Sequence, residues 1–200
     1  MQMTTLFGAA GTLVGLVRAV PQLIRILRAR DAHGVSVDTA ATSAIVSSGW
    51  ATYGVLTSQP AVTFATGASA VVFVAITIFS LRYGRSAREF RAAPIWFVVL
   101  ASAVALAGSR GLGVLLPVSV LIANLPQVVI AFREADLSAL SPATWMLSVA
   151  DGVVWLGYSL AGGDGSILLF GMLQTTTSGV IVARRWAWQM RGGRMLESDA

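Results

Sequence analysis

The 200 residues carry 56% hydrophobic side chains and only 12% charged ones, against roughly 25% charged residues in an ordinary soluble domain, which excludes a water-soluble fold. A net charge of +5 could suggest nucleic acid, but the basic residues stand in short groups between apolar runs rather than on one polar surface, so no nucleic-acid partner is expected. With no Cys and a single His, His33, neither disulfides nor a metal centre is expected.

A helix needs about 20 mostly apolar residues to cross the hydrocarbon core, and seven such segments can be marked along the chain. They are Thr4–Leu27, Thr39–Thr57, Ala61–Leu81, Ala93–Ala107, Leu112–Phe132, Pro142–Leu160 and Ser166–Ala183. The first lacks a basic leader and a small-residue cleavage site, so it is read as a mature helix. The fourth is the shortest and is followed by Gly108, Ser109, Arg110 and Gly111.

An outside N-terminus puts Arg28, Arg30, Arg82, Arg85, Arg88, Arg91, Arg133, Arg184, Arg185, Arg191 and Arg194 on the cytoplasmic side and leaves only Arg110 in an outer loop. That satisfies the positive-inside rule and gives a cytoplasmic C-terminus. Trp186 and Trp188 then read as an interfacial belt. Every basic residue is Arg and none is Lys, as in a high-GC genome, and a bacterial plasma membrane is the expected location.

Shifted by 105 residues, the chain repeats itself without a gap. Leu16, Pro21, Gln22, Arg28, Asp31, Ser36, Thr39, Ser43, Trp50 and Tyr53 fall on Leu121, Pro126, Gln127, Arg133, Asp136, Ser141, Thr144, Ser148, Trp155 and Tyr158. Apolar bias does not generate matches of Pro, Gln, Trp, Tyr and charge. The expected organisation is a three-helix unit over 1–84, a linker helix region over 85–111, a second unit over 112–188 and a cytoplasmic tail over 189–200. One extra crossing between the copies inserts them with the same orientation, as parallel repeats.

Pro21-Gln22 and Pro126-Gln127, followed by Arg28-x-x-Asp31 and Arg133-x-x-Asp136, resemble paired PQ-loop motifs. Trp50-x-x-Tyr53-Gly54 and Trp155-x-x-Tyr158, the latter followed by Gly162, Gly163 and Asp164, are similar to the aromatic signature of the SWEET sugar carriers. This resemblance implies an all-α membrane protein of seven helices in a 3+1+3 arrangement, without a cofactor, whose halves rock around a central pocket to pass a mono- or disaccharide. Where SWEET carriers hold a pocket Asn 16 residues after the Trp, this chain has Thr66 and Gly171.

The residues support physical readings of their own. A proline inside a span removes a backbone donor and clashes with the carbonyl four residues back, so Pro21 and Pro126 are either gating kinks or static ones. Gln22 and Gln127 can hydrogen-bond across an interface. Asp151, Trp155 and Tyr158 share one helical face, and an ionisable group at membrane depth needs an interior position and a partner. Arg18 is the other ionisable residue deep in a span, and is the expected partner of Asp151. The pair either lines a pathway or fixes helix packing.

Trp50 and Trp155 offer flat faces for a solute or for packing, Tyr53 and Tyr158 stand a turn beyond them, and Thr66 and Asn124 add polar groups to the expected substrate site. Thr66, Ser69, Gln174 and Thr175 give the third and seventh spans polar faces, while Gly67, Ala68, Gly171 and Gly179 suit close helix contact.

No Gly-rich phosphate loop with a Lys is present, and one His cannot supply a nucleophile with its base, so no enzyme is expected. Besides the facilitative carrier, two alternatives fit: a proton-coupled carrier of an amino acid or other charged metabolite, and a receptor or chaperone that binds a peptide or partner protein. Lipid surrounds the chain in each case, and assembly into a homo-oligomer is left open.

Overall fold

The computed structural model describes residues 3–137 and 140–198, without the side chains of 191–198. Helices account for nearly all of it: α1 (Met3–Ala29), α2 (Val37–Leu56), α3 (Pro60–Arg82), α4 (Ala92–Arg133), α5 (Pro142–Gly162) and α6 (Gly165–Ser198), with a short 3₁₀ turn at Ala87–Glu89 before α4. Asp199 and Ala200 of the expected tail lie outside the described residues.

The helices begin and end for local reasons. Ser36 caps α2 by accepting from the Thr39 N–H at 3.2 Å, and Ser141 caps α5 by accepting from the Thr144 N–H at 3.4 Å. Each cap hydroxyl also accepts from the threonine hydroxyl, at 2.9 and 3.2 Å. Pro60 and Pro142 open α3 and α5, where a missing N–H costs nothing. Gly163, in the left-handed region at φ 77°, ends α5, which a residue with a Cβ does at a cost.

Forty-two residues of unbroken helix would be about 63 Å long, twice the roughly 30 Å hydrocarbon core. α4 is broken at Gly108, whose φ of 56° and ψ of −135° are not helical. Residues eight apart stand about 12 Å apart along a straight helix, yet a Cβ on Gly111 would lie 2.5 Å from the Ala103 carbonyl oxygen. The chain therefore reverses here, between an arm from Ala92 and an arm ending at Arg133.

α3 packs against α1 and α2, α6 packs against α4 and α5, and the two sets meet through α1 with α5 and α2 with α4. Small residues allow the closest approaches. A Cβ on Gly54 would lie 2.7 Å from the Thr63 nitrogen of α3, and one on Gly152 would lie 2.6 Å from the Thr175 nitrogen of α6. Gly171 is equally tight, whereas Gly179 meets nothing within 4 Å. Gly152→Val is therefore expected to cost about 1–3 kcal/mol or more through overpacking, and Gly179→Ala less than about 0.5 kcal/mol. Thermal melts of the detergent-solubilised protein would separate the two, and equal melting temperatures would refute the packing argument.

Large apolar side chains point outward along the length of the helices, among them Leu13, Phe64, Val71, Phe97, Leu106 and Leu160. Such a surface needs lipid around it, and the chain is an integral membrane protein. By length and composition α1, α3, α4 and α6 can each cross a membrane. α2 and α5 are of spanning length but less apolar than the sequence reading assumed, because α2 carries Thr39, Thr42, Ser43 and Ser47, and α5 carries Ser148 and Asp151. The last helix runs on past the apolar segment that ends at Ala183, to Ser198, through residues that include no proline and several good helix formers.

One end of the bundle is arginine-rich and holds the end of α1, the start of α2, the start and finish of α4 and the start of α5. There Asp38 accepts backbone N–H bonds from Arg91, Ala92 and Ala93 at 2.9–3.1 Å, capping α4 from the first turn of α2. At the same end Trp188 donates its indole N–H to the Ala135 carbonyl at 2.7 Å, and the Arg185 guanidinium lies 4.4 Å from the Trp188 ring centroid.

Candidate functional site

A cavity of ≈ 610 Å³ runs between the two sets of helices, within the 300–1,000 Å³ range of small-molecule sites. Its mouth lies at the arginine-rich end, among Asp38, Thr39, Ala92 and Gln127, and its floor is made by Trp50 and Trp155. These two indoles also line a much smaller void of ≈ 40 Å³ on their far side, with Val62, Thr66, Ile167 and Phe170. Trp50 stands edge-on to Phe170 at 5.3 Å and to Tyr53 at 5.6 Å, and Trp155 edge-on to Tyr158 at 5.5 Å. Such contacts hold large rings in fixed orientation.

Farther along, at the end opposite the arginines, Tyr53 donates its hydroxyl to Asp164 at 2.8 Å and Gln59 donates its amide to the same carboxylate oxygen at 2.6 Å. The other carboxylate oxygen caps α6 by accepting from the Ile167 N–H. The turn after α2 is thereby tied to the turn after α5.

One wall of the cavity carries charge. Arg18 of α1 and Asp151 of α5 meet with Nη1 to Oδ2 at 3.2 Å; the arginine side chain is 40% exposed and the aspartate 8%. The partner expected for Asp151 is the one it has. On α1, Gly11 leaves room for the Trp155 ring, which a Cβ there would meet at 2.7 Å, and Gly15 for the Ser69 hydroxyl, at 2.9 Å.

The cavity is also lined by amides and hydroxyls. Asn124 donates to the Gln174 side-chain oxygen at 3.2 Å and to the Thr177 hydroxyl at 2.8 Å. Thr66 and Ser69 return their hydroxyl protons to the Val62 and Ala65 carbonyls, at 2.7 and 3.0 Å, which leaves their oxygens as acceptors.

The expected site residues thus divide. Arg18, Asp151, Trp50, Trp155, Thr66, Asn124 and Gln127 line one cavity. Tyr53 and Tyr158 do not; they are buried beyond the tryptophans, Tyr53 in the tie to Asp164. Pro21 and Pro126 are exposed but do not line the cavity, and Gln22 does not line it although its counterpart Gln127 does. Gln59 and Asp38 were missed. Gln59 lies 105 residues before Asp164, so the repeat pointed to it, but an amide opposite an acid is not an identity and escapes matching.

No family model matches the chain, and no curated protein does. A solved structure of a eukaryotic SWEET transporter superposes on 94% of this chain and 97% of its own, with a TM-score of 0.74 at 16% sequence identity. The chain has the SWEET fold. At that identity the likeness speaks for architecture, and the chemistry of the cavity has to be argued from this chain's own residues.

Proposed function

We propose that this protein is a SWEET-like carrier that moves a small polar solute across the membrane by alternating access, with a mono- or disaccharide as the first substrate to try. The observation that carries the reading is the cavity between the two sets of helices, open at the arginine-rich end and stopped by Trp50 and Trp155, with the Tyr53, Gln59 and Asp164 tie beyond them. This is the form of an inward-facing carrier when the arginine-rich end is cytoplasmic, as the positive-inside rule has it.

The reversal at Gly108 supports seven spans arranged 3+1+3, with the first arm of α4 as the linker. The 105-residue shift supports two parallel repeats: it carries α1, α2 and α3 onto the second arm of α4, α5 and α6. It also exchanges the α1–α5 contact with that between α2 and α4, as a two-fold axis along the membrane normal requires. Trp50 and Trp155, Thr66 and Asn124 form the substrate site in this reading, while Gln127 at the mouth and the two prolines serve the movement.

Purified protein in liposomes is expected to take up labelled glucose or sucrose, or another small polyol, with saturable kinetics above empty vesicles. Trp155→Ala should reduce that flux at least about tenfold, as loss of a central aromatic anchor does. Folded protein that moves no member of a broad panel of sugars, organic acids and amino acids would overturn the reading.

A further inference from the structure

Three charged side chains reach the cavity, and they are not equally free. Asp38 is committed to the α4 N-terminus by its bonds to Arg91, Ala92 and Ala93. Asp151 is nearly buried and holds Arg18. Arg18 is 40% exposed and uses one of its donors on Asp151; a guanidinium has five, in a fork that matches a carboxylate. The cavity therefore presents to a solute one anion-binding group with donors to spare.

The repeat sharpens this. Residues 105 away from Arg18 and Asp151 are Ala123 and Val46, and both line the same cavity. A solute between the two walls meets charge on one side only, so it has one charged end. The rest of the lining suits hydroxyls: Thr66 and Ser69 offer acceptor oxygens, and Trp50 and Trp155 offer flat faces.

Charge balance then assigns a role to Asp151. The empty pair is neutral. A carboxylate on Arg18 would leave one net negative charge at membrane depth, which is costly, and a proton on Asp151 removes it. No second base competes for that proton among the groups packed around Asp151. α1 brings only Arg18, α6 brings the uncharged Gly171 and Thr175, and on α5 the next titratable group is Tyr158, two turns away beyond Trp155.

We propose, building on the carrier reading above, that the solute is a hydroxylated carboxylate such as a sugar acid, bound by Arg18 and carried together with one proton on Asp151. Hydronium gives its proton to an Asp151 carboxylate oxygen, one O–H bond breaking on the hydronium as one forms on the carboxyl group, and leaves as water. The Arg18 donor released from Asp151, with its neighbours, then takes both oxygens of the solute carboxylate. On the other side the carboxylate leaves first, Asp151 returns its proton to water and the ion pair closes again. Each cycle moves one carboxylate and one proton, with no net charge.

The test uses the purified full chain in liposomes with labelled gluconate, lactate, glucose and alanine, under an inward proton gradient and with the membrane potential clamped in either sense. Gluconate is expected to accumulate inside above its outside concentration, to lose that accumulation when the gradient is collapsed, and to ignore the potential. Asp151→Asn is expected to bring the accumulation ratio down to one and to flatten the pH profile, while gluconate still raises the melting temperature of the variant. Arg18→Gln is expected to lose that thermal shift. Should this variant not fold, Arg18→Lys is expected to raise the half-saturating gluconate concentration at least about tenfold, since an ammonium lacks the fork. Lactate transported like gluconate would extend the class to hydroxy acids and support the proposal. Glucose flux without gluconate flux would overturn it and leave the carrier reading standing, as would alanine accumulation without a proton gradient; no flux of any of the four would count against both.

Discussion

Arg18→Leu is expected to lower the unfolding free energy by about 3 kcal/mol, the low end of the range for breaking a buried ion pair. The low end applies because Arg18 is 40% exposed to the cavity, where water screens it, while Asp151 is 8% exposed. The cost arises on the aspartate, left charged and unpaired between α1, α5 and α6. Adding Asp151→Asn to the Arg18 variant should therefore restore most of the stability, and Asp151→Asn alone should cost less than Arg18→Leu, because water in the cavity can solvate the freed arginine. Thermal melts in detergent, run as a double-mutant cycle, would show this asymmetry. Equal single losses that add in the double variant would mean that the two side chains act through packing and not through charge.

Asp164→Ala is expected to open the end of the cavity opposite the arginines. The substitution removes the Tyr53 and Gln59 bonds to the carboxylate, each worth about 1.5 kcal/mol for a charged acceptor. Together, about 3 kcal/mol shifts a two-state equilibrium by roughly two orders of magnitude. The chain has no Cys, so a single reporter at Thr66→Cys gives an unambiguous readout. Its labelling by an impermeant thiol reagent from the outer side should rise at least about tenfold in the Asp164 variant, and Asp164→Asn, which keeps an acceptor, should lie between. Unchanged labelling would show that the tryptophans alone close this end.

What could be read from the sequence follows from where identity and polarity are informative. Pro, Gln, Trp and Tyr recur at one offset, and the same offset relates Ser36 to Ser141, whose cap networks have the same pattern. Arg18 and Asp151 could be paired in advance because membrane depth leaves an ionisable group few choices. Which side of a helix faces the cavity was less legible. Gln22 and Gln127 match in sequence, yet only Gln127 reaches the cavity, and a one-dimensional alignment carries no information on helix rotation. Tyr53 was expected beside the substrate, but its place one turn beyond Trp50 takes it past the floor and into the tie with Asp164. Gln59, Asp38 and the Asn124–Gln174–Thr177 cluster depend on contacts between distant segments, and no local pattern announces them.

The Asp38 clamp decides to which set of helices the first arm of α4 is fastened. With three backbone N–H groups of Arg91–Ala93 held on α2, the first arm of α4 is fastened at the arginine-rich end to the first set of helices. Its only covalent link to the second set is the reversal at Gly108, at the other end of the bundle. For the carrier proposed above, a relative tilt of the two sets of helices then requires no helix to bend: the first arm of α4 travels as ballast with the first set, and the chain flexes where a residue without a side chain already tolerates φ of 56°. Severing the chain at that reversal and expressing the two pieces together should accordingly yield a reassembled protein, with the first arm of α4 retained by the piece that carries Asp38.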